Sequence, residues 1–126
     1  MDLSKYYKLE KKTLSNNKIR FLFSGQYIDR KNIIDLIMAF KEIPNKNIEL
    51  NLIGGGELET VINDLIEDDE RIKNIGFIQP IYLPNIYQQN DVFILPSKHD
   101  GWAVVINEAM ASKMPIIGSY KTGAIY

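Results

Sequence analysis

Two features of the sequence predict an α/β domain built on a parallel sheet. Short, continuous apolar runs recur along the chain, and helix-length segments separate them. Strands that are apolar on both faces are typical of parallel sheets covered by helices on either side. We therefore predict a doubly wound, Rossmann-like domain, which would bind ligands outside the carboxyl ends of its strands.

The expected elements alternate along the chain. Strands are expected at residues 19–24, 48–53, 75–78, 92–95 and 115–118. Helices are expected at residues 32–42, 57–66, 83–89 and 101–112. Residues 1–18 are polar and rich in lysine, which favours a linker or leader, so the domain is expected to span residues 19–126.

Composition narrows the class of protein. With 126 residues, 45% of them hydrophobic, the chain can form one soluble domain with a sizeable core. A formal net charge of −1 gives no general attraction to nucleic acid or to an anionic membrane, so neither is an expected partner. The absence of cysteine and the single histidine, His99, exclude thiolate chemistry and a histidine-based metal cluster, and no metal or cofactor is expected. The sequence contains neither an apolar run of membrane-spanning length nor a signal-peptide pattern, which predicts a cytoplasmic location.

The turn after the first strand contains two cations near a predicted helix start. Asp29 is a plausible N-cap, and Arg30 and Lys31 would then lie in the first helical turn, where they oppose the helix dipole. An anionic ligand at the helix start would turn this misfit into a binding site. The alternative, two solvated side chains at small cost, stays open on this pattern alone.

Three consecutive glycines, Gly54, Gly55 and Gly56, follow the second strand and precede a helix. Their spacing matches neither the dinucleotide fingerprint nor a Walker loop. We interpret them as a tight turn that lets the backbone pass close to another group.

The segment 91–117 contains two acids of interest. Glu108 is the only charged residue between Gly101 and Ser112, and a lone carboxylate in apolar surroundings requires a partner. Asp100 precedes it by eight residues, or about 12 Å along a helix, whereas a carboxylate pair that acts on one bond needs about 5 to 9 Å. Asp100 is equally plausible as an N-cap and as a ligand-contacting acid, and the spacing suits two acids that hold different parts of one extended ligand.

Together these motifs resemble the carboxyl-terminal, donor-binding domain of family 4 (group 1) glycosyltransferases, which have the two-Rossmann GT-B architecture. The resemblance covers nearly everything after Ile19. The family's Gly, Arg, variable residues, Lys and Gly pattern corresponds to residues 25–32, and its glycine turn corresponds to residues 54–56. Its acid, seven residues and glutamate signature corresponds to residues 100–108 and continues through residues 109–111 into the strand at 115–117.

The resemblance implies a role for each matching residue. Asp100 and Lys31 would be catalytic, with Lys31 on the donor diphosphate and Asp100 facing the sugar. Glu108 would accept hydrogen bonds from the ribose hydroxyls, and the backbone around residues 77–79 would lie against the base. The full set of substrate-binding residues would be Gly25, Gln26, Arg30, Lys31, Phe77, Ile78, Gly101, Trp102, Ala103, Val104 and Glu108.

The chain departs from the family pattern in several places. Gln26 occupies the position of the phosphate-binding arginine, which leaves Lys31, with help from Arg30, to stabilise the leaving group. Asp100 stands where glutamate is usual, Trp102 where phenylalanine is common and Ala103 where glycine is common.

The implied function is the donor-binding half of a retaining glycosyltransferase that moves a hexose from a nucleotide-diphosphate sugar to a carbohydrate or lipid-linked acceptor. The amino-terminal acceptor-binding domain and the last strand and closing helices of the family are expected to lie outside this chain. We therefore expect no independent turnover by the chain. Any membrane contact, peripheral and at the inner face, would come through the absent part. A catalytically inactive module that binds a nucleotide sugar or a partner is the alternative, and a receiver-like signalling domain ranks below it because its acidic site is missing.

Overall fold

The computed structural model describes residues 18–97 and 113–118, and these contain a five-stranded parallel sheet. The strands are β1 (Ile19–Gln26), β2 (Ile48–Gly55), β3 (Ile72–Gly76), β4 (Val92–Leu95) and β5 (Ile116–Gly118). Their spatial order is β3-β2-β1-β4-β5, and every pairing is parallel. The order reverses between β1 and β4, which is the point where doubly wound sheets open a ligand crevice. The predicted Rossmann-like fold class is confirmed.

Three helices connect the described strands. They are α1 (Ile33–Lys41), α2 (Glu59–Ile66) and α3 (Leu83–Gln88). Short 3-10 turns at Asp29–Lys31 and Pro80–Tyr82 precede α1 and α3. The helix expected at residues 101–112 lies outside the described residues. In the described part of the chain, no helix has the length and apolar character needed to cross a membrane.

The core lies on both faces of the sheet because neighbouring strand residues point to opposite sides. Phe23 is buried on the face that α1 and α2 cover, and its neighbour Leu22 is buried on the face that α3 covers. The first face also contains Phe21, Ile33, Ile37, Phe40, Ile48, Leu50, Leu52, Ile62 and Ile72. The second also contains Ile53, Ile86, Tyr87, Phe93, Leu95 and Met114.

The first helix lies within one residue of its predicted bounds, 32–42, at each end, but its predicted N-cap is wrong. Asp29 is not its N-cap: Asp29 begins a 3-10 turn, and its carbonyl oxygen accepts a hydrogen bond from the Asn32 N–H at 2.9 Å. Asn32 has a left-handed backbone (φ 58°), which asparagine tolerates better than most residues, and α1 follows it. Arg30 and Lys31 therefore precede the α-helix, and the argument that they oppose its dipole in the first turn is wrong.

The third strand is also displaced from its predicted position at residues 75–78. It spans Ile72–Gly76, and Phe77 and Ile78 lie in the loop beyond it. Gly76, the last residue of β3, has φ 87°, which turns the chain out of the extended conformation, and the β2–β3 register shifts beside it. The apolar run at residues 75–78 is therefore divided: its first two residues end the strand, and its last two lie in the loop at the carboxyl edge.

The amino ends of the strands contain a buried carboxylate that the sequence analysis did not single out. The Glu49 side chain on β2 is 8% exposed and lies 3.5 to 3.7 Å from the cationic nitrogens of Lys18, Arg20 and Lys73. Asp91 accepts a hydrogen bond from the Arg20 N–H at 2.8 Å, which ties the start of β4 to β1. The charges at this edge thus compensate one another.

Arg71, just before β3, joins the sheet to the end of α1. Its guanidinium donates two hydrogen bonds to the Asp69 carboxylate, at 2.9 and 2.7 Å, and lies 4.9 Å from the centroid of the Phe40 ring. It also donates to the carbonyl oxygens of Ile43 and Asn45. The hydrogen bonds from Arg71 hold the pKa of Asp69 below its usual range.

This pairing predicts a pH-dependent contribution to stability. Asp69→Asn should lower the free energy of unfolding at neutral pH by about 1 to 2 kcal/mol, because charge-assisted hydrogen bonds to Arg71 are lost. Since the folded-state pKa is the lower one, the stabilisation is present above the unfolded pKa of about 3.9 and disappears as the pH falls through the folded value. Urea unfolding at pH values from about 7 to about 3 measures this difference between the variant and the wild type.

The neighbouring Asp68→Asn change is the matched control. Asp68 pairs with Lys41 at 2.7 Å, but its side chain is 74% exposed, so its loss should matter less. Equal losses for the two variants, or a loss at Asp69 that is independent of pH, would contradict the prediction.

Candidate functional site

A cavity of about 520 Å³ opens at the carboxyl edge of the sheet. Residues from the ends of β1 and β2, the loop after β3 and the start of α3 form its wall. They are Ser24, Gly25, Gln26, Ile53, Gly54, Gly55, Phe77, Ile78 and Leu83. Apolar side chains and glycine backbone dominate this wall, an arrangement that suits a ligand with a flat apolar part and a polar part held by main-chain groups.

The cavity depends on a close contact between the ends of β1 and β2. Gly25 pairs with Gly54 in the ladder, and a Cβ atom built on Gly54 would lie 1.8 Å from the Gly25 carbonyl oxygen. Gly54 also has φ 131°, which side-chain-bearing residues rarely adopt. Only glycine fits at this position.

The next part of the glycine segment lies against the residue that follows β1. A Cβ atom on Gly56 would be 2.9 Å from the carbonyl oxygen of Tyr27, whereas one on Gly55 would meet nothing within 4 Å. The sequence predicted a turn that passes close to another group. The structure identifies that group as the backbone of β1 and Tyr27, and Gly54 and Gly55 are the last residues of β2 rather than a separate loop.

Four of the predicted substrate-binding residues meet in this cavity. Gly25 and Gln26 come from the end of β1, and Phe77 and Ile78 come from the loop after β3, about fifty residues away along the chain. Phe77 is 76% exposed, so its ring is available at the rim of the cavity. Gly25 would tolerate a Cβ at ordinary contact distances of 3.5 Å or more, so packing alone does not require glycine there.

The two predicted cations occupy different places. The Lys31 side chain passes beside β1, with its Cδ 3.9 Å from the point where a Gly25 Cβ would be, and Lys31 is partly buried. Arg30 is exposed, and neither residue belongs to the cavity wall. The remaining predicted site residues lie outside the described residues: Asp100, Gly101, Trp102, Ala103, Val104 and Glu108.

Three residues of this region were not predicted from the sequence: Ser24, Tyr27 and Leu83. Ser24 is a buried polar residue near the end of an apolar strand, which is a signal that could have been noticed. Leu83 begins α3 and Tyr27 is fully buried after β1, and neither carries a local pattern that separates it from ordinary core residues.

The fold and the cavity together define a Rossmann-like domain with an open cavity at the carboxyl edge of its sheet. A family model described as "Glycosyl transferases group 1" matches residues 7–125 of the sequence. The chain therefore belongs to the group 1 glycosyltransferases, as the sequence motifs predicted.

Individual relatives agree with this assignment. The chain is 33% identical to the capsular polysaccharide biosynthesis glycosyltransferase CapM of Staphylococcus aureus, over 94% of the chain and 33% of that protein. It is 30% identical to an Escherichia coli UDP-Gal:alpha-D-GlcNAc-diphosphoundecaprenol alpha-1,3-galactosyltransferase, over 87% of the chain and 30% of that protein. The chain thus spans about a third of the length of these curated relatives.

Solved structures support the fold. A sucrose-phosphate synthase from Thermosynechococcus elongatus is 28% identical, with a TM-score of 0.76 over 87% of this chain and 30% of that one. Anabaena HepE, solved in complex with UDP and glucose, has a TM-score of 0.77 at 21% identity, over 98% of this chain and 37% of that one. At that level of identity the second likeness concerns the fold alone.

The glycine contact yields a prediction about stability. Gly54→Ala should lower the free energy of unfolding by about 3 kcal/mol or more, because a methyl group cannot fit against the Gly25 carbonyl oxygen without moving the backbone. Gly55→Ala, at the next position, has open space and should change the free energy by about 1 kcal/mol or less. Chemical denaturation of both variants measures the difference, and similar values for the two would show that the contact is not limiting.

Proposed function

We propose that this chain is the donor-binding part of a retaining glycosyltransferase that transfers a hexose from a nucleotide-diphosphate sugar to a carbohydrate or lipid-linked acceptor. One observation carries the proposal: Gly25, Gln26, Phe77 and Ile78 line a single cavity. The family motif places Gln26 at the position of a phosphate-binding arginine, with Gly25 before it, and the resemblance places the backbone around residues 77–79 against the base. Their meeting at the carboxyl edge is what a bound nucleotide requires.

The cavity wall suits the two ends of such a donor differently. The exposed Phe77 ring, with Ile78 and Leu83, offers an apolar surface for a planar base. The glycine-lined ends of β1 and β2 leave the backbone accessible to a diphosphate. We assign Lys31 to the diphosphate because its side chain passes beside Gly25.

The proposed chemistry is a front-side displacement at the anomeric carbon. The bond between that carbon and the donor phosphate oxygen breaks, a bond to the acceptor hydroxyl oxygen forms on the same face, and the acceptor proton is released. Cationic side chains and backbone N–H groups would stabilise the charge on the departing diphosphate. Asp100 would face the sugar and Glu108 would hold the ribose, as the resemblance implies.

The names of several relatives support a nucleotide-sugar donor. The E. coli relative is named as a transferase that uses UDP-Gal, and structural neighbours have been solved with UDP, with UDP-glucose, and with UDP and GlcNAc. Other relatives are named as an O-antigen chain mannosyltransferase and an alpha-monoglucosyldiacylglycerol synthase. These names span several sugars and acceptors, so the proposal extends to the donor class and not to one sugar.

An inactive module that binds a nucleotide sugar or a partner is the second candidate, and Gln26 is the observation that favours it. An uncharged amide at this position offers the diphosphate less stabilisation than a guanidinium. Full transfer activity in a longer protein that contains this domain and carries Asp100→Ala would favour the inactive module over the transferase part.

The proposal predicts saturable nucleotide binding. Calorimetric titration of the folded chain with UDP and with GDP should detect binding of at least one at millimolar concentration or below. Lys31→Ala should weaken it about tenfold, because a charge-assisted contact to phosphate is lost. Lys46→Ala is the control, since Lys46 lies in the exposed loop before β2 at the opposite edge. No binding of either nucleotide by a folded sample would overturn the proposal.

A gain of affinity should follow from restoring the cation at position 26. Gln26→Arg places a guanidinium at the cavity wall, where it can hydrogen-bond a phosphate oxygen, and should tighten diphosphate binding by about tenfold. The matching nucleoside, which lacks phosphate, should bind the variant and the wild type equally. An unchanged affinity for the diphosphate would show that position 26 lies away from it.

A further inference from the structure

Tyr27, directly after β1, is fixed by both of its backbone groups. Its N–H donates a hydrogen bond to the Gly55 carbonyl oxygen at 2.9 Å, and its carbonyl oxygen accepts one from the Leu58 N–H at 3.0 Å. Gly56 lies against the same peptide units. A Cβ atom built on Gly56 would be only 2.9 to 3.1 Å from backbone atoms of Tyr27, which is too close for a side chain to fit without a shift. The chain that leaves β1 is therefore attached to the glycine segment that leaves β2.

The side chain of Tyr27 continues this attachment to α2 and β3. The ring is fully buried, and its hydroxyl donates a hydrogen bond to the Asn74 Oδ1 at 2.9 Å. The Asn74 amide nitrogen donates to Glu59 at 3.0 Å and to Asn63 at 2.9 Å. Because two acceptors hold the amide nitrogen, the amide oxygen is directed at Tyr27.

The hydroxyl is more than a passive part of the core. Burial, assisted by the charge of Glu59, raises the pKa of Tyr27 above its usual range, which disfavours ionisation of the hydroxyl that donates to Asn74. A phenylalanine would supply the same ring beside Phe23, whose centroid is 6.3 Å away. The hydroxyl adds the hydrogen bond to Asn74, which fixes the position of Tyr27 relative to β3.

The segments on either side of Tyr27 contain the residues that we assign to the diphosphate. Gln26 precedes it in the cavity wall, and the 3-10 turn that contains Lys31 begins two residues after it. Hydrogen bonds to a phosphate depend on placement to within a fraction of an ångström. We propose that Tyr27 is a positioning residue of the donor site, whose hydroxyl holds Gln26 and Lys31 in register with the diphosphate; this inference rests on the proposed function.

Tyr27→Phe tests the inference through a readout that a purely structural role would not change. We expect the nucleoside diphosphate that the wild type binds, UDP or GDP, to bind the variant about fivefold to tenfold more weakly. The matching nucleoside, uridine or guanosine, should bind within about twofold of the wild type, because its base contacts the loop after β3 rather than the segment around Tyr27. Both affinities can be measured by titration monitored by NMR.

Two further variants keep the test decisive. Asn74→Ala removes the acceptor for the Tyr27 hydroxyl, together with the hydrogen bonds to Glu59 and Asn63, and should give the same selective loss at a greater cost in stability. It also substitutes for Tyr27→Phe if that variant does not fold. Asn90→Ala removes the acceptor of a buried hydrogen bond from the Asn51 amide at 2.9 Å and a donor to the Ile86 carbonyl oxygen, both outside the cavity wall. It should lower stability without changing the ratio of the two affinities.

The possible outcomes distinguish a failure of the positioning role of Tyr27 from a failure of the proposed function. Wild-type binding with an unchanged diphosphate affinity in Tyr27→Phe, or an equal loss for diphosphate and nucleoside, would overturn the positioning role alone. A folded wild-type chain that binds neither nucleotide would overturn the proposed function and the positioning role together.

Discussion

The contact between Gly25 and Gly54 is the constraint on which the candidate site depends. Eight residue pairs hold β1 and β2 in parallel register, and the ladder continues to the carboxyl edge, where the two backbones leave no space for a side chain on Gly54. A side chain at that point would force the strands apart just where the cavity begins. The glycines therefore bring two strand ends together and leave main chain in the cavity wall.

The amino and carboxyl edges of the sheet differ in the charged side chains that line their cavities. At the amino edge, Glu49 lies among Lys18, Arg20 and Lys73, and a larger cavity of about 730 Å³ is lined by charged side chains of both signs. At the carboxyl edge the cavity wall contains no charged side chain from the described residues. The charges at the first edge pair with one another, whereas an apolar wall with accessible backbone suits a ligand.

Much of the fold could be predicted because burial on both faces of a parallel sheet leaves a clear pattern. The strand at Val92–Leu95 has the predicted bounds. The observed β1 and β2 begin where predicted, but each continues two residues further at its carboxyl end, into Gly25 and Gln26 and into Gly54 and Gly55. The predicted N-cap of α1 and the predicted position of β3 were wrong for local reasons. Asn32 and Gly76 adopt positive φ values that hydrophobic periodicity does not register.

Residues of the candidate site could be predicted where they belong to a sequence motif. They could not be predicted where their place in the site depends on tertiary contacts. Gly25, Gln26, Phe77 and Ile78 were predicted and share one cavity. Tyr27 could not be identified, because its importance arises from Asn74, forty-seven residues away, and from backbone contacts that no sequence spacing reveals. The assignments of Lys31, Asp100 and Glu108 to parts of a donor stay predictions.

The most direct measurement is to map nucleotide binding onto the two edges of the sheet. Backbone amide shifts of the isotope-labelled chain, recorded during titration with UDP or GDP, report binding residue by residue. We expect saturable shifts at the cavity residues Gly25, Gln26, Gly55, Phe77 and Ile78, and no change at Glu49 and Lys73 at the amino edge. Shifts centred on the amino edge, or none at the carboxyl edge when the cavity should be saturated, would contradict it.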